Sequence, residues 1–474
     1  MTKRKMMKTY DVIIVGAGPA GIFAAMELVK LNSGMKILLI ERGGDIQHRS
    51  CPAIIKNMPC AQFNCNLCGM LCGWGGAGAF SDGKLNLSTQ IGGFLSQYLD
   101  EESLAELVQY VDDIYIQHGA PKEIYGTDEK KVQRLSDTAI KYDLKLIPSR
   151  IRHLGSDRSV SFLNELYKVL HEKVEIRLHT EIEHMIVKEK RAVGVKTTKG
   201  EEIFAEDIIL APGRGGAGWL EKEARRLKLT TLNNPVDIGV RVEVPATVMK
   251  ELTDAIYEAK LIFYSKKFDD QVRTFCMNPY GEVVKEFNRG LATVNGHSYA
   301  NKKLENTNFA ILVSTFFTEP FHEPIAYGEY IARLANLLGG GIIVQRLGDL
   351  KMGKRSTSER IKRGLVKPSL KDATPGDLSF AIPYRHLTDI LEMLETMDNV
   401  APGVNSRHTL LYGVEVKFYS MRIKLSKSLE TEIPHLFAIG DGAGVSRGLI
   451  QASASGVAVA REIKKRLTVA GAAG

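Results

Sequence analysis

Residues 10–31 read YDVIIVGAGPAGIFAAMELVKL, and this stretch determines the fold. Residues 10–15 form an apolar, β-branched run that is typical of a buried parallel strand. The turn Gly16-Ala17-Gly18-Pro19-Ala20-Gly21 follows, and an apolar helical segment over 22–31 comes next, ended by Asn32-Ser33-Gly34. Strand, glycine turn and helix in this order predict the first half of a βαβ unit.

The glycine spacing G-x-G-x-x-G suits the binding of a pyrophosphate. Gly16 makes the tight turn, Gly18 lets the backbone approach the phosphates, and Gly21 lets the helix pack close to the strand. The phosphates lie at the helix N-terminus, where free N–H groups favour anions. A second strand over 36–40 ends at Glu41, followed by Arg42. Glu41 is placed to accept hydrogen bonds from ribose hydroxyls, which suits FAD or NAD and disfavours a 2′-phosphate.

Two later stretches predict further strands of the same sheet. Residues 208–210 are an apolar strand that runs into Ala211-Pro212-Gly213, after strands over 174–178, 181–188, 192–198 and 203–205. Residues 436–439 form another, followed by Gly440-Asp441-Gly442 and a helix over 449–465. Asp441 is expected to bind a sugar-alcohol hydroxyl, and the helix N-terminus to stabilise a reduced flavin anion.

These motifs resemble a known superfamily. The phrases DVIIVGAGPAGIFAA…ER, DIILAPG and PHLFAIGDGAGVSRGLIQASASGVAVA are similar to the FAD signature of the glutathione-reductase-type flavoproteins. The phrases GWGGAGAFSDGKLNL, VRTFCMNPYGEVV, LLGGGIIVQRLGDL and TLLYGVEVKFYS resemble a narrower group, the FAD-utilising dehydrogenase-like NAD(P)/FAD-dependent oxidoreductases. The resemblance covers nearly the whole chain, and it implies the cofactor and the fold more strongly than the reaction.

The resemblance also implies individual roles. It assigns Glu41 to the adenosine ribose, the glycines of the first turn to the pyrophosphate, the backbone of Ile182 to adenine, Gly213 to the cofactor wall and Asp441 to the ribityl chain. Pro212 stands where threonine is common, which weakens the assignment of Gly213. The implied fold is α/β: a discontinuous Rossmann-like FAD-binding domain over 1–235 and 405–474, with an inserted mixed α+β substrate or cap domain over 236–404.

Residues 51–84 combine cysteines with glycines. Cys51, Cys60, Cys65, Cys68 and Cys72 precede a run that includes Gly75, Gly76, Ala77 and Lys84. In the wide superfamily this region runs along the flavin. Gly75 and Gly76 are therefore expected to donate backbone N–H groups to cofactor oxygens, and Lys84 to offset phosphate or reduced-flavin charge.

The cysteines allow three interpretations. Cys68 and Cys72 have the proximity of a redox-active pair, as in disulfide reductases of the superfamily. Cys60-x4-Cys65-x2-Cys68-x3-Cys72 also has the close thiolate spacing of an iron–sulfur or other metal site. The third interpretation is inert thiols in a compact loop. Cys276 stands alone and is expected to be a small buried hydrophobe.

The inserted domain offers polar candidates but no defined catalyst. They are Tyr280, His297, Lys354, Arg355, His408 and Tyr412. No second G-x-G-x-x-G with a following acid occurs, and the glycines of 338–342 lack the spacing. We therefore expect NAD(P)H to dock transiently, or an acidic protein donor such as ferredoxin to deliver electrons.

Composition limits the remaining classes. The chain has 474 residues, a net charge of +8 and six cysteines, 44% of it is hydrophobic and 25% charged. These values suit a globular cytoplasmic protein with no disulfide scaffold, no membrane-spanning segment and no nucleic-acid partner. We expect an FAD-dependent dehydrogenase or reductase of a small or lipid-like substrate. The alternatives are an electron-transfer or redox-sensing flavoprotein with a cysteine relay, and a non-redox FAD protein.

Overall fold

Two large β-sheets organise the chain in the computed structural model, which describes residues 9–56, 63, 65, 67–81, 83–232, 234–288, 290–299, 302–318, 321, 323–417 and 421–473. The strands are β1 (Thr9–Val15), β2 (Ile37–Ile40), β3 (Lys84–Asn86), β4 (Lys145–Ile147), β5 (Ile151–His153), β6 (Glu175–Arg177), β7 (Ile182–Lys188), β8 (Arg191–Thr197), β9 (Glu202–Leu210), β10 (Thr231–Leu232), β11 (Val236–Pro245), β12 (Lys260–Tyr264), β13 (Gln271–Asn278), β14 (Glu282–Asn288), β15 (Leu291–His297), β16 (Asn306–Thr315), β17 (Ile343–Arg346), β18 (Thr374–Pro375), β19 (Leu410–Lys417), β20 (Arg422–Ile423) and β21 (Leu436–Ala438). The α-helices are α1 (Pro19–Leu31), α2 (Pro52–Lys56), α3 (Glu101–Gln117), α4 (Glu129–Ile140), α5 (Ser156–His171), α6 (Gly213–Arg226), α7 (Ala246–Ile256), α8 (Pro324–Gly339), α9 (Leu347–Lys351), α10 (Ser358–Lys362), α11 (Tyr384–Met397) and α12 (Leu449–Ala473).

The first sheet confirms the predicted Rossmann-like arrangement. Its strand order is β6-β2-β1-β9-β8-β7, and β21 also pairs with β9. β1 is parallel to both β2 and β9, and β21 is parallel to β9, whereas β7, β8 and β9 form antiparallel pairs. The carboxyl ends of β1, β2, β9 and β21 therefore meet at one edge, where α/β sheets bind their ligands.

The second sheet has the order β18-β17-β19-β11-β16-β13-β12-β4 and is antiparallel except for the pair β17–β18. Two of its strands depart from the predicted domain limits. β19 lies at the centre of this sheet, although a boundary at residue 404 would place it in the FAD-binding domain. β4 forms one edge through its pairing with β12, although it lies within residues 1–235. Backbone pairing, which composition does not reveal, decides both positions.

The two faces of the second sheet differ in polarity. Strand β11 reads VDIGVRVEVP, and its alternate apolar residues pack in a core with residues of α7, α8 and α11. The opposite face carries Asp237, Arg241 and Glu243, all of which are buried. The hairpin β14–β15 covers part of this polar face, since Asn295 of β15 accepts a hydrogen bond from Arg241. Among the described residues, no helix combines the length and apolarity needed to cross a membrane.

Candidate functional site

A cleft opens at the carboxyl edge of the first sheet. It is bordered by the glycine turn after β1, the end of β2, the start of β7 and the start of α6. The residues that line it are Val15, Gly16, Gly18, Ile40, Glu41, Arg42, Leu71, Cys72, Gly76, Thr180, Glu181, Ile182, Ala211, Pro212, Gly213, Gly216 and Trp219. Segments distant in the sequence thus share one concave site, as the order of the strands requires.

The glycine turn has the tight geometry expected from the sequence. Gly16 adopts φ +112°, and a Cβ there would lie 2.0 Å from the carbonyl oxygen of Ala211. A Cβ on Gly21 would lie 2.0 Å from the carbonyl oxygen of Gly16, so only glycine allows this approach of helix and strand. Pro19 is the first residue of α1, where a missing N–H costs nothing.

The Glu41 carboxylate connects the glycine turn after β1 to two neighbouring loops by hydrogen bonds. Its Oε2 accepts a hydrogen bond from the Ala17 N–H at 3.0 Å. Its Oε1 accepts from the Gly43 N–H at 2.9 Å and from the Gly73 N–H at 2.8 Å. Glu41 also lines the cleft, and its carboxylate has further lone pairs that can accept from a ligand hydroxyl.

The loop over residues 73–76 packs directly on the glycine turn. Its backbone N–H groups at Gly75 and Gly76 donate to carbonyl groups of the protein. The Gly75 N–H donates to the Ala17 carbonyl at 2.8 Å, and the Gly76 N–H donates to the Gly73 carbonyl at 2.8 Å. Protein carbonyls thus accept from both N–H groups, and the role of Gly75 and Gly76 toward cofactor oxygens stays a prediction. Ala77 follows in a short 3-10 turn, Gly76–Phe80.

Lys84 also differs from its predicted role. Its ammonium donates to the Met277 carbonyl at 2.7 Å and to Oδ1 of Asn278 at 3.0 Å, and it lies 3.3 Å from the Glu258 carboxylate. These partners belong to the part of the chain that builds the second sheet. Lys84 therefore connects the segments that build the two sheets, at the register shift between Phe275 and Asn278, and it is not among the residues that line the cleft.

Arg49 holds the loop in place, a role that the sequence did not signal. Its guanidinium donates to the carbonyls of Gly69 at 2.9 Å, Trp74 at 2.7 Å, Met70 at 3.0 Å and Gly76 at 2.8 Å. Burial lowers the pKa of Arg49 to about 10, although the Glu41 carboxylate opposes this shift. Such a set of charge-assisted bonds fixes the loop backbone that borders the cleft.

Arg42 and Cys72 form one wall of the cleft. The guanidinium of Arg42 donates to Sγ of Cys72 at 2.9 Å and to the carbonyl of Gly215 in α6, and it lies 3.7 Å from the Glu181 carboxylate. Burial raises the pKa of the Cys72 thiol, and Arg42 opposes that shift. The thiol therefore lies beside Glu41 and Ile182, at the end that the resemblance assigns to adenosine.

The other cysteines stand apart from the cleft. Cys65 and Cys68 are exposed, and Cys60 lies outside the described residues. Within the described part of the chain, Cys51, Cys65, Cys68 and Cys72 are free thiols, and no group of three or more metal-ligating side chains converges. Cys72 lines the cleft together with Glu41 and Ile182, and the redox pair of Cys68 and Cys72 stays a prediction.

The C-terminal motif lies against the same edge of the sheet. Gly440 adopts φ +75°, and a Cβ there would lie 3.0 Å from Cβ of Ala20 in α1. A Cβ on Gly442 would lie 2.4 Å from the Gly213 carbonyl oxygen. The motif after β21 therefore touches both the glycine turn and the start of α6, as the predicted cofactor site requires.

Asp441 is held at this junction by polar contacts. Its Oδ1 accepts a hydrogen bond from Oγ of Ser446 at 2.6 Å, and its Oδ2 lies 3.9 Å from Nε of Arg214. The carboxylate is partly exposed, so one oxygen can still accept from a ligand hydroxyl.

The cleft fits the dinucleotide part of FAD. A Cβ added to Gly213 would meet nothing within 4 Å, and one added to Gly18 would meet only Cα of Gly76 at 4.0 Å. Open space therefore lies where the phosphates are expected, at the N-terminus of α1. Pro212 and Trp219 add apolar surface on the opposite wall, as pockets for adenine need.

Sequence reasoning did not identify several of the cleft residues. Thr180 and Trp219 line the cleft but carry no motif, and Cys72 was expected near the flavin. None of the six polar candidates of the inserted domain lines this cleft. Tyr412 is fully buried and donates to Glu243 at 2.5 Å, so it belongs to the polar interior of the second sheet.

Comparisons with known proteins agree with this geometry. Residues 10–213 match the model of the pyridine nucleotide-disulphide oxidoreductase family, and residues 235–418 match the model described as FAD-dependent protein, C-terminal domain-like. No curated protein matches the chain.

Solved structures resemble the chain only distantly. Formate oxidase of Aspergillus oryzae RIB40 is 14% identical, with 98% of this chain and 99% of that chain covered and a TM-score of 0.43. L-Proline dehydrogenase from P. horikoshii is 12% identical, with 97% and 95% covered and a TM-score of 0.39. Quinol fumarate reductase of E. coli is also 12% identical, with 98% and 72% covered and a TM-score of 0.39. Likeness at this level carries no weight for the reaction of this chain.

The glycine turn, the acidic end of β2 and the two matched families define a flavin-dependent oxidoreductase. The enzyme binds FAD. Both matched segments make the chain similar to NAD(P)/FAD-dependent oxidoreductases.

Proposed function

We propose that the enzyme oxidises or reduces a small or lipid-like organic substrate at an FAD that lies along the cleft. In this proposal Glu41 and Ile182 bind the adenosine end and the N-terminus of α1 binds the pyrophosphate. Asp441 binds the ribityl chain, and the flavin ring lies toward the second sheet. The observation that carries the proposal is the meeting of the Gly16–Gly18 turn, Glu41, Gly213 and Asp441 at one edge of the first sheet.

The protein's own part in the reaction is to bind and orient. Bound FAD supplies hydride or electron transfer. Glu41 holds the glycine turn through the Ala17 N–H, so the phosphate site is preorganised. The remaining acceptor capacity of Asp441 orients the sugar chain, and the partly buried junction of the two sheets keeps water from the ring.

The electron donor is proposed to be transient NAD(P)H or an acidic protein such as ferredoxin. The triple glycine over 339–341 does not begin a second dinucleotide unit, because Gly339 ends α8 and Gly340 is its left-handed C-cap. The following strand β17 belongs to the second sheet. The net charge of +8 favours an acidic donor.

The position of Cys72 favours the enzyme over an electron relay. A relay through the cysteine loop needs thiols close to the flavin ring, whereas Cys72 lines the adenosine end and Cys68 is exposed. The iron–sulfur alternative, which includes Cys60, is tested by iron and sulfide analysis of anaerobically purified protein. Stoichiometric iron would support the relay.

Cofactor release and anaerobic reduction test the proposal. Denaturation of purified protein should release one FAD per chain, identified by mass spectrometry. Addition of NADH, NADPH or reduced ferredoxin to the yellow protein should bleach the flavin bands. Asp441→Ala should lower FAD retention, whereas Asp377→Ala, a change at a carboxylate remote from the cleft, should not.

Two results would contradict the proposal. Colourless protein that does not take up added FAD would remove the cofactor site. Substrate turnover without any bleaching of the flavin would point to the non-redox alternative.

A further inference from the structure

Residues 346–371 carry most of the excess positive charge of the chain. This segment contains nine lysines and arginines but only two acidic residues, Asp349 and Glu359, so its net charge is +7. The whole chain has a net charge of +8. The rest of the protein is therefore close to neutral, and the charge that would attract an acidic partner is concentrated in one short stretch.

The segment is folded, so its cations are held close to one another. It connects β17 with β18 at one edge of the second sheet and contains α9 and α10. Ile361 and Val366 pack in a small core with residues of β14, β15 and β19. The guanidinium of Arg360 donates to the Arg355 carbonyl at 2.9 Å. A charged surface on a folded segment loses less conformational entropy on binding than a disordered basic arm does.

Carboxylates of the protein neutralise only a small part of this charge. Asp349 lies 3.7 Å from Arg360, and Lys351 lies 3.0 Å from Glu395. Arg407 adds a further exposed cation, since its carbonyl accepts from the Gly348 N–H of α9. Among the residues that the structure describes, the exposed cations of this region that form no ion pair are Lys354, Arg355, Lys362, Arg363, Lys367, Lys371 and Arg407, which we call the basic surface.

Two apolar side chains are exposed among these cations. Met352 precedes Lys354 and is 68% exposed, and Leu365 follows Arg363 and is 75% exposed. Methionine and arginine are both enriched where proteins contact other proteins. The region therefore combines charges that attract a partner with apolar groups that a partner can cover.

Strand β14 connects this region with the polar face of the second sheet. Asp372, the residue after the segment, accepts from Nζ of Lys285 in β14 at 2.5 Å. The next residue of that strand, Glu286, lies 3.6 Å from Nζ of Lys417 in β19. The proposed flavin ring lies toward this sheet, so a partner on the basic surface would be a short distance along β14 from the sheet that faces the ring.

We propose that the basic surface docks an acidic protein that delivers electrons to the FAD, which rests on the proposed function above and deepens it. With a one-electron donor, two reduced donor molecules are oxidised for each FAD, and the FAD takes up two electrons and two protons from solvent. Complementary charge raises the rate of encounter, and the few apolar contacts allow the donor to leave after each transfer.

Other polyanions fit this surface less well. Residues 346–371 contain no aromatic side chain, whereas proteins that bind single-stranded nucleic acid stack bases on aromatic rings. A duplex phosphate backbone would leave Met352 and Leu365 without an apolar partner. Membrane-surface helices insert a long apolar face, but α10 has only five residues. An acidic protein suits both the charge and the exposed apolar groups.

Binding and flavin reduction test the proposal on the FAD-loaded protein. The probes are a plant-type ferredoxin and a flavodoxin, which are acidic one-electron carriers. Calorimetry measures the affinity of the oxidised probes, and anaerobic stopped-flow absorbance measures how fast the reduced probes bleach the flavin bands. We expect at least one probe to bind, and its affinity to fall about tenfold or more between about 0.01 M and about 0.5 M salt.

Charge reversal assigns the binding to the basic surface. The triple variant Lys354→Glu, Arg363→Glu and Arg407→Glu should lower the rate of flavin reduction by the bound probe about tenfold or more at low salt. Its FAD content should equal that of the parent, because none of the three residues lines the cleft. If the triple variant does not fold, Lys354→Gln with Arg363→Gln tests the same surface with a smaller expected loss.

A matched variant separates the basic surface from net charge. Lys130→Glu, Arg134→Glu and Lys141→Glu change the net charge equally, on exposed residues of α4 and its C-cap. α4 packs beside β4, at the edge of the second sheet opposite to β18. This variant should be reduced at a rate within about twofold of the parent rate.

Four results would overturn the docking surface. They are no binding of either acidic protein at low salt, affinity that does not change with salt, an equal loss of rate in the two triple variants, and tighter binding of oligonucleotides or phosphatidylserine vesicles than of both acidic proteins. Protein that NADPH reduces but that neither acidic protein binds would retain the proposed function. Protein that binds an acidic probe through this surface but takes up no FAD would contradict the proposed function instead.

Discussion

Replacement of Glu41 by glutamine tests the architecture of the cleft. The side chain is only 7% exposed, and its carboxylate accepts from three backbone N–H groups, those of Ala17, Gly43 and Gly73. Glutamine has nearly the same shape but carries one oxygen and one NH₂ group. The NH₂ group must then face at least one N–H, where two donors oppose each other.

The expected loss of unfolding free energy follows from how the three N–H donors are arranged around the two oxygens of Glu41. The better orientation keeps the amide oxygen near Gly43 and Gly73 and directs the NH₂ group at the Ala17 N–H. This loses one hydrogen bond to a charged acceptor, about 1.5–3 kcal/mol, and leaves one buried donor unsatisfied, about 1–3 kcal/mol. We expect the Glu41→Gln variant to lose about 3 kcal/mol of unfolding free energy and to bind FAD on the order of a hundredfold more weakly.

Two measurements check this expectation. Urea denaturation of the apoprotein reports the unfolding free energy, and quenching of FAD fluorescence reports the dissociation constant. Glu181→Gln is the control, because Glu181 lines the same cleft but its side chain is 55% exposed. A Glu41→Gln variant within 0.5 kcal/mol of the parent, roughly the size of an ordinary surface change, would refute the role of the three hydrogen bonds.

Three further changes have defined outcomes. Arg49→Met removes the donor to four loop carbonyls and should lower the unfolding free energy, measured by urea denaturation, by about 3 kcal/mol. An unfolding free energy equal to that of the parent would contradict the role given to Arg49. Iodoacetamide should alkylate Cys68 faster than Cys72, and removal of FAD should speed the labelling of Cys72; equal rates in peptide mass spectrometry would refute this. Burial and the neighbouring Asp270 raise the pKa of Asp389 to about 6, so the folded state favours the protonated form and stability falls as pH rises from about 4 to 6. The unfolding free energy of Asp389→Asn should therefore exceed that of the parent by about 1 kcal/mol at pH 8 and by little at pH 4. An equal difference at both pH values in urea denaturation would contradict this.

Local patterns predicted the first sheet well because its signals lie within single elements. The run over 10–21 contains a strand, a turn and a helix start, and the spacing of its glycines is a local signal, although the atom that excludes a Cβ at Gly16 belongs to Ala211. The alternation of apolar and polar residues in Val236–Pro245 is a signal of the same local kind.

Long-range pairing explains what the sequence did not predict. Lys84 follows the glycine loop in sequence, yet its ammonium donates to the Met277 carbonyl in the irregular part of β13. Arg49 has no motif, because its partners are backbone carbonyls that any residue supplies. The predicted boundary at residue 404 put β19 in the FAD-binding domain, whereas it pairs within the second sheet, because a central strand is recognised by its neighbours and not by its composition.

Strand β4 lies in the N-terminal part of the chain but pairs within the second sheet. This pairing limits how the protein can be cut into fragments that fold. A fragment that begins at residue 235 lacks the strand that covers the edge of β12. It would leave the N–H and C=O groups of residues 260–262 that face β4 open to pairing with another molecule, which promotes aggregation. A minimal version of the second sheet must therefore carry Lys145–Ile147 with it, so no single cleavage point separates the protein into two self-sufficient halves.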